Sequence, residues 1–302
     1  MVSEPQIPSW LEPLYPFRPG RFRTARGASL SFVDEGPRSE EAVLMLHGNP
    51  TWSFYFRDLL RELSAERRCI APDHIGMGLS EKPAGYDYTL ASRIDDIEAL
   101  VTSLRLKRVD LVLHDWGGAI GMGLAARRPE WIGRLVITNT AAFQSSRIPG
   151  RIRLCRAPIL GALLVRGVNA FVRGALTMAM AARSLSRDER RAYLLPYGSW
   201  AQRAAVYAFV RDIPLETGHP SRPALAAIER ALPGFAANPK LILWGGRDFC
   251  FDGWFYSRWR SLYPDAQSHF YPEAGHYLFE DAGEDTRRRI RTFLIPNSPD
   301  SR

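Results

Sequence analysis

The sequence is poor in cysteine, with three in 302 residues, and none of them lies in a Cys-x-x-Cys pair. A disulfide scaffold needs an even set of cysteines and a zinc ribbon needs such pairs, so both are excluded and no metal site is predicted. The first residues lack a basic stretch followed by an apolar run, so we expect no secretory signal and a reducing, cytoplasmic location. The apolar share of 46% excludes disordered and collagen-like classes and allows one large domain or two smaller ones.

Lysine is absent from the segment between Gln144 and Glu216, which contains twelve arginines and four acidic residues. This segment therefore carries the whole formal charge of +8, and the rest of the chain is balanced. The aromatic and glycine spacing of an RNA- or DNA-binding module is missing, so nucleic acid is not an expected partner. The basic segment can attract anionic lipid, an acidic protein or an anionic substrate, or its arginine stems can pack along apolar surface.

Short apolar runs, separated by glycine-rich turns and amphipathic stretches, recur on both sides of the basic segment. Runs of this length that are rich in Val, Ile and Leu are typical of parallel strands covered on both faces. The predicted strands are 42–46, 69–72, 109–114, 134–138, 241–245 and 268–271, and the predicted helices are Phe54–Leu63, Leu90–Leu104, Trp116–Arg127, Trp254–Leu262 and Glu284–Phe293. This alternation predicts an α/β fold with a mostly parallel, doubly wound sheet.

The composition of the middle segment predicts helices. Residues Pro158–Arg183 are mostly Ala, Leu, Val, Met and Gly, but Arg166, Asn169, Arg173 and the glycines within them argue against a membrane span. We therefore predict a helical cap at 144–216, laid over the carboxyl edge of the sheet, with residues 1–143 and 217–302 forming the core. The tail after Phe293 is expected to fray.

Four polar turns follow the predicted strands, and open α/β sheets carry their chemistry at the carboxyl ends of strands. These turns are His47–Pro50, His114–Gly118, Trp244–Asp248 and Ala274–Tyr277. The second turn runs from a strand directly into a helix, with glycines shortly after Asp115, which is the pattern of a nucleophile elbow. A carboxylate is already ionised at neutral pH, so Asp115 needs no base to attack, and a histidine is free to activate water in a second step.

The chain order Asp115, Asp248, His276 matches the order of nucleophile, acid and histidine that accompanies such an elbow. We predict that Asp248 holds the tautomer of His276 and stabilises its cation. Each motif alone is more often structural, and Asp252 is an alternative acid. The four turns together, in this order, point to catalysis.

Donors for a developing or departing anion are predicted at Asn49 and Trp116. The backbone N–H groups of both residues lie where an oxyanion hole would form, and their side chains add an amide and an indole N–H. Further residues near these turns are predicted to line the pocket, although a turn-stabilising role is the alternative for His74. The predicted pocket residues are His47, His74, Phe143, Phe249 and Tyr277.

Three motifs resemble the haloalkane dehalogenase branch of the α/β-hydrolase family: HGNPTWS at 47–53, PDHIGMGLSEKP at 72–83 and HDWGG at 114–118. The similarity extends over nearly the whole chain, from about Phe22 to Phe293. It implies the α/β-hydrolase fold with an inserted helical cap and no metal or organic cofactor. It also implies that the nucleophilic aspartate displaces halide from carbon, that histidine-activated water hydrolyses the ester, and that the Asn and Trp donors bind the halide.

A finer pattern resembles the β-lactone decarboxylases of bacterial long-chain olefin biosynthesis. It consists of His74 with YDYTL at 86–90, NTAAF at 139–143, RAYLLPY at 191–197, RDIPL at 211–215 and GGRDFCFD at 245–252. The resemblance implies that a cis-β-lactone with two long alkyl arms becomes a cis-alkene, with the carboxyl carbon released as CO2 or bicarbonate. Asp115 would attack the lactone at its carbonyl, and water activated by His276 would clear the acyl-type adduct. The sequence leaves the attacked atom open.

Two residues depart from the family pattern. Leu113, two positions before the nucleophile, is bulkier than the small residue that an elbow normally has there, which puts the local geometry in doubt. Asn139 occupies the position at which some dehalogenases place the triad acid, which favours Asp248 for that role.

Two hydrocarbon arms would require a long apolar channel in the cap, although ordinary packing of cap on sheet is the alternative. The predicted channel residues are Leu160, Leu163, Leu164, Phe171, Leu176, Met178 and Met180. The basic face of the cap is expected to dock on the inner face of a membrane or on upstream pathway enzymes. Both docking modes predict salt-sensitive binding.

The leading prediction is therefore an enzyme, a β-lactone decarboxylase that acts on a hydrophobic small molecule. Hydrolytic dehalogenation of haloalkanes is the first alternative. Epoxide hydrolysis and a catalytically silent, ligand-binding member of the fold are the remaining ones. The sequence does not determine alkyl chain length, stereochemistry, oligomeric state or physiological partners.

Overall fold

The computed structural model describes residues 7–295. Most of the tail for which fraying was predicted lies outside the described residues. Within them, eight strands form one sheet in the order β1-β2-β4-β3-β5-β6-β7-β8. The strands are β1 (Gly20–Arg23), β2 (Ser29–Glu35), β3 (Glu41–Leu46), β4 (Cys69–Asp73), β5 (Arg108–Asp115), β6 (Ile132–Thr140), β7 (Lys240–Gly245) and β8 (Gln267–Tyr271).

The six strands from β3 to β8 are all parallel, and each covers one of the six predicted runs. Strands β1 and β2 were not predicted; they form an antiparallel extension, with β2 also antiparallel to β4. Their sequences, GRFR and SLSFVDE, alternate polar with apolar residues and contain no continuous apolar run. The prediction of a mostly parallel α/β fold is confirmed.

Helices cover both faces of the sheet, as a doubly wound fold requires. Side chains of α2, α3, α9 and α10 form a core on one face with Leu111 and Leu113 of β5, whereas α1 and α12 pack on the other face with Val112. The helices are α1 (Arg57–Leu63), α2 (Leu90–Ser103), α3 (Trp116–Arg127), α4 (Gly150–Arg156), α5 (Pro158–Ala162), α6 (Ala170–Met178), α7 (Arg187–Leu194), α8 (Ala204–Arg211), α9 (Arg222–Ala231), α10 (Gly253–Leu262), α11 (Leu278–Asp281) and α12 (Gly283–Leu294).

Helices α4 to α8 lie between β6 and β7 in the chain and contact the loops at the carboxyl ends of the strands. The backbone N–H of Tyr277, after β8, donates to Ala179 O at 2.8 Å. The side-chain amide of Asn49, after β3, donates to Val206 O at 3.1 Å. This placement is the one predicted for a cap, and the boundaries 144–216 remain a prediction.

Among residues 7–295, no single helix is both long and apolar enough to cross a membrane. One pair of helical segments, Pro158–Gly167 and Ala170–Met178, passes that test together, but the two are bent by 70° to each other.

Candidate active site

Asp115 lies at the sharp turn between β5 and α3. Its φ of +52° is a conformation that non-glycine residues adopt rarely and that is held only by the surrounding structure. Close packing supplies that support: a Cβ on Gly117 would lie 1.9 Å from Leu46 O, and one on Gly48 would lie 2.0 Å from Asp115 Oδ1. The two glycines therefore allow β3 and its following loop to approach the elbow.

The bulk of Leu113 does not distort this turn. A Cβ on Gly121 would lie 2.3 Å from Leu113 Cδ2, so the leucine side chain fills the space that this glycine of α3 leaves open. Leu113 is fully buried in the core on that face. Leu113 therefore fits next to the elbow, because Gly121, one helical turn after Gly117, has no side chain to clash with it.

His276 is held by a hydrogen bond to Asp248. Its Nδ1 donates to Asp248 Oδ2 at 2.7 Å, which fixes the tautomer and directs Nε2 towards Asp115. His276 Nε2 lies 3.6 Å from Asp115 Oδ2, which is longer than a hydrogen bond. Burial lowers the pKa of His276, but the charge of Asp248, its hydrogen bond and the charge of Asp115 together raise that pKa above its ordinary value.

Asp248 is fixed in turn by three further donors. The backbone N–H groups of Cys250 and Phe251 donate to Oδ1 at 2.6 and 3.1 Å, and Asn139 Nδ2 donates to Oδ2 at 2.9 Å. Asn139, which stands where some dehalogenases have the acid, thus orients the acid that follows β7. Asp252 lies elsewhere: it accepts from Trp254 N at 3.0 Å and pairs with exposed Arg147.

The Asp115 carboxylate is buried, and burial raises its pKa; the charge of His276 and the N–H groups of Asn49 and Trp116 oppose that shift. Asn49 N donates to Asp115 Oδ1 at 2.7 Å. Since these N–H groups already face a carboxylate oxygen, they are placed to stabilise an oxyanion that forms on Asp115 itself. The side chain of Trp116 lines the cavity, with its ring 5.4 Å from that of Phe209.

An apolar cavity of about 150 Å³ adjoins Asp115. The lining includes three residues predicted for the site besides the nucleophile: Asn49, Trp116 and Phe143. Most of its wall was not predicted: Leu90, Ala119, Ala141, Ser145, Arg147, Ile148, Pro149, Ile152, Val210, Ile213, Pro214, Leu225, Cys250, Phe251 and Phe255. Ile213 and Pro214 lie in the RDIPL motif and Phe251 lies in GGRDFCFD, so these two motifs could have identified part of the cavity wall.

The other predicted pocket residues do not line this cavity. Phe249 packs beside it under the guanidinium of Arg151, 5.0 Å from the ring centre, and Tyr277 is buried among aromatic rings of the opposite face. His47 Nε2 accepts from His74 N at 3.1 Å, and His74 Nε2 lies 3.0 Å from His47 O. Burial lowers the pKa of His47 to about 4 and that of His74 as well, so both rings are neutral supports of the loop that carries Asn49.

The predicted cap channel was largely wrong. Of its seven residues only Phe171 lines the cavity, Leu164 is half-buried, and Leu176 and Met180 pack in the core of the opposite face. Leu160, Leu163 and Met178 are exposed to solvent. Composition identified apolar helices but could not determine which side of each short, bent helix faces the core.

The loop that carries His276 is bound to the cap segment 179–183 by Asp281. This carboxylate accepts from the N–H groups of Gly275 and Ala181 at 2.7 and 2.8 Å, and from those of Ala182 and Arg183 at 3.1 and 3.2 Å. Sequence reasoning did not identify Asp281, because its partners are backbone groups of a distant segment. Asp281 thereby holds the loop that carries His276 in place.

A charge network that is buried except at Arg183 joins the same two segments to α1. Arg57 donates to Glu280 at 2.5 and 2.9 Å and to Glu189 at 3.1 Å. Arg183 donates to Glu189 at 2.9 Å and to Glu280 at 2.5 Å, and Tyr193 Oη donates to Glu280 at 2.5 Å. Each charge therefore has an opposite partner, which buried charges require.

We expect Asp281→Ala to lower the free energy of unfolding by about 2–4 kcal/mol, because four backbone N–H groups lose a charged acceptor. Urea unfolding measures this change, and kcat should fall as well. Asp95→Ala is the matched control, since Asp95 pairs with the half-exposed arginines Arg26 and Arg127 and should cost about 1 kcal/mol or less. Equal losses of unfolding free energy and of kcat in the Asp281 and Asp95 variants would contradict the role of Asp281 in positioning the His276 loop.

Comparison with known proteins extends these observations. The family model described as the alpha/beta hydrolase fold matches residues 41–283. A cis-3-alkyl-4-alkyloxetan-2-one decarboxylase from Shewanella oneidensis is 46% identical over 290 residues, covering 94% of this chain and 90% of that protein. One of the same name from Xanthomonas campestris is 42% identical over 296 residues, covering 94% of this chain and 98% of that protein. The structure of a haloalkane dehalogenase from Bradyrhizobium elkani superimposes with a TM-score of 0.84 at 28% identity, covering 92% of this chain and 97% of that one.

Proposed function

Since the chain belongs to the α/β-hydrolase family, we propose that it decarboxylates cis-3-alkyl-4-alkyloxetan-2-ones, which are cis-β-lactones, to cis-alkenes. The observation that carries the proposal is Asp115, a buried carboxylate at an elbow that faces an apolar cavity with His276 beside it. The two decarboxylases at 46% and 42% identity support the lactone over the haloalkane as substrate. Hydrolytic dehalogenation is the second candidate, because an aspartate nucleophile with a histidine base suits it equally well.

In the first step, Asp115 adds to the lactone carbonyl carbon. The oxyanion then re-forms the C=O bond as the bond from the carbonyl carbon to ring carbon 3 breaks and its electrons form the C3=C4 double bond. The bond between C4 and the ring oxygen breaks onto that oxygen. The products are the alkene, cis because the ring held both arms on one side, and a carboxylic–carbonic anhydride on Asp115.

In the second step, His276 Nε2 takes a proton from water, which attacks the Asp115 carboxyl carbon of the anhydride. The oxyanion forms on Oδ1, where the N–H groups of Asn49 and Trp116 stabilise it. Asp248 stabilises the histidine cation while the intermediate lasts. On collapse the leaving carbonate takes one of the two water protons and becomes bicarbonate, the other proton passes from His276 to solvent, and the Asp115 carboxylate is restored. In the first step the proposed donors to the lactone oxygens are the Trp116 indole and the second N–H of the Asn49 amide, whose other N–H donates to Val206 O.

A paired assay tests this function. One arm supplies a synthetic cis-β-lactone with two alkyl arms and measures alkene by gas chromatography, and the other supplies 1-bromoalkanes and measures released halide. We expect alkene with little halide. Halide without alkene would reverse the ranking and assign the apolar cavity to haloalkanes.

The acid limb of the pH profile follows from the base. His276 must be neutral to accept a proton, so kcat should fall as the pH drops through its raised pKa, which lies above the ordinary value of about 6.5. Because the Asp248 charge raises that pKa, Asp248→Asn should move the limb to lower pH while it also lowers kcat. Steady-state kcat from pH 5 to 9 checks this, and a limb that stays in place would assign the titration to another group.

We also propose that the basic cap binds a peripheral partner. A membrane surface at the inner face of the cell and upstream enzymes of the same reaction sequence are the two partners that its charge suits.

A further inference from the structure

The cap exposes a set of large apolar side chains on α5 and the segments next to it. Ile159 is 79% exposed and Val168 is 66% exposed, which is unusual for such residues on a folded domain. The cap face, as we call this surface, consists of Ile159, Leu160, Leu163, Val168 and Trp200.

Helical geometry keeps these residues together. Ile159 and Leu163 are four positions apart, and Leu160 and Leu163 are three apart, so they share one side of α5 and its continuation. Val168 lies at the 70° bend between this segment and α6. Trp200 lies next to this segment, because the guanidinium of Arg166 is 4.6 Å from the centre of its indole ring.

The charge around the cap face has one sign. Residues 144–187 contain eight arginines and no Lys, Asp or Glu. Arg147, Arg156 and Arg183 pair with carboxylates of other segments. Arg153 and Arg173, on α4 and α6, are exposed and have no carboxylate partner within the described part of the chain.

An apolar face flanked by unpaired arginines suits an anionic bilayer better than a second copy of this chain. In a two-fold contact between copies of this chain the face would meet itself, so arginines would oppose arginines. The surface of an anionic bilayer offers phosphates to the guanidinium groups and an acyl boundary to the apolar side chains. We propose that the cap face binds the surface of an anionic lipid bilayer, with Ile159, Leu163 and Val168 inserted.

The cap face and the wall of the cavity are formed by neighbouring short helices of the cap. Ile152 of α4 and Phe171 of α6 line the cavity, whereas Arg153 and Arg173 of the same two helices point to solvent. One consequence rests on the proposed function. The substrate's two alkyl arms partition into bilayers, so a cap face bound to a bilayer would receive this substrate from the lipid phase. Vesicle binding itself does not depend on the activity.

Co-sedimentation with vesicles tests the proposal on the full chain. We expect binding to phosphatidylcholine vesicles that contain about 30% phosphatidylglycerol, weak binding to phosphatidylcholine alone, and release as salt rises from about 0.05 to 0.5 M. Ile159→Ser/Leu163→Ser/Val168→Ser should lower the partition coefficient roughly tenfold or more. Arg153→Gln/Arg173→Gln should weaken binding to the anionic vesicles selectively.

Matched controls separate these effects from general changes in surface. Phe270→Ser removes an apolar side chain that is 39% exposed on β8, and Arg23→Gln/Arg105→Gln removes two exposed arginines outside the cap. Both controls should bind like the parent chain, and the cap-face variants should keep their decarboxylation of a short-arm lactone in solution. No sedimentation at low salt, unchanged binding of the serine variant, or a concentration-dependent dimer that this variant abolishes would overturn the proposal. Vesicle binding without any decarboxylation would instead refute the proposed function alone.

Discussion

Asp115→Asn should abolish alkene formation, with kcat lowered about 10⁴-fold or more, because the amide cannot form the covalent bond to the lactone. The fold should survive, since Asn is nearly the same size and Asn49 N can still donate to its side-chain oxygen. Alkene measured by gas chromatography gives the rate, and thermal unfolding verifies the fold.

Asp252→Asn is the matched control, because Asp252 was the alternative acid and lies outside the Asp248–His276 contact. Its kcat should stay within about twofold of the parent value, because Asn can still accept from Trp254 N and the ion pair that is lost joins two exposed side chains. Full activity of Asp115→Asn would remove covalent catalysis from the proposal. A comparable loss in Asp252→Asn would transfer the role of acid to that residue.

His276→Ala should yield at most one equivalent of alkene per active site and then stall, with the steady-state rate lowered about 10³-fold or more. The reason is the order of events: the alkene leaves before water enters, and only the second step needs the base. Rapid-quench measurement of alkene against enzyme concentration reveals the burst. In water enriched in ¹⁸O, the parent enzyme should acquire the label in the Asp115 carboxylate during one turnover.

His269→Ala is the control for this experiment, because His269 lies on β8 and takes no part in the site. This variant should turn over without stalling after a burst, and it should acquire ¹⁸O in the Asp115 carboxylate to the same extent as the parent enzyme. Continued turnover of His276→Ala without label in Asp115 would mean that the anhydride loses CO2 unaided. His276 would then act by orienting and balancing the charge of the nucleophile rather than as a base.

The features that sequence reasoning predicted correctly are those that local pattern determines. Buried parallel strands require continuous apolar runs, so the five parallel strands from β3 to β7 could be predicted in this way. The sixth, β8, was also predicted, although it is an edge strand and only partly buried. The elbow could be predicted because Asp115 lies between a predicted strand and a predicted helix with glycines shortly after it, and because three further polar turns follow their strands in the matching order. The structure then brings His276 to 3.6 Å from Asp115 and to 2.7 Å from Asp248.

The features that it missed depend on contacts between distant segments. The direction in which Leu160 and Leu163 point is determined by a 70° bend between two short helices, and composition contains no information about that angle. His74 lies in a motif near the site, yet its ring and backbone N–H are both used by His47. Asp281 contributes through four backbone N–H groups, which have no signature in the side-chain sequence.

The attachment of the His276 loop to cap residues 179–183 determines which side of the cap can open. Lifting this side would break the four bonds to Asp281 and move Tyr277, next to the base, because its N–H is bound to Ala179 O. The opposite side is held at Arg147 by an ion pair between exposed side chains, which contributes little to stability. We therefore expect any opening of the cap to begin at residues 145–149, which border the cavity, rather than beside His276, so that substrate can enter while Asp115, His276 and Asp248 keep their spacing.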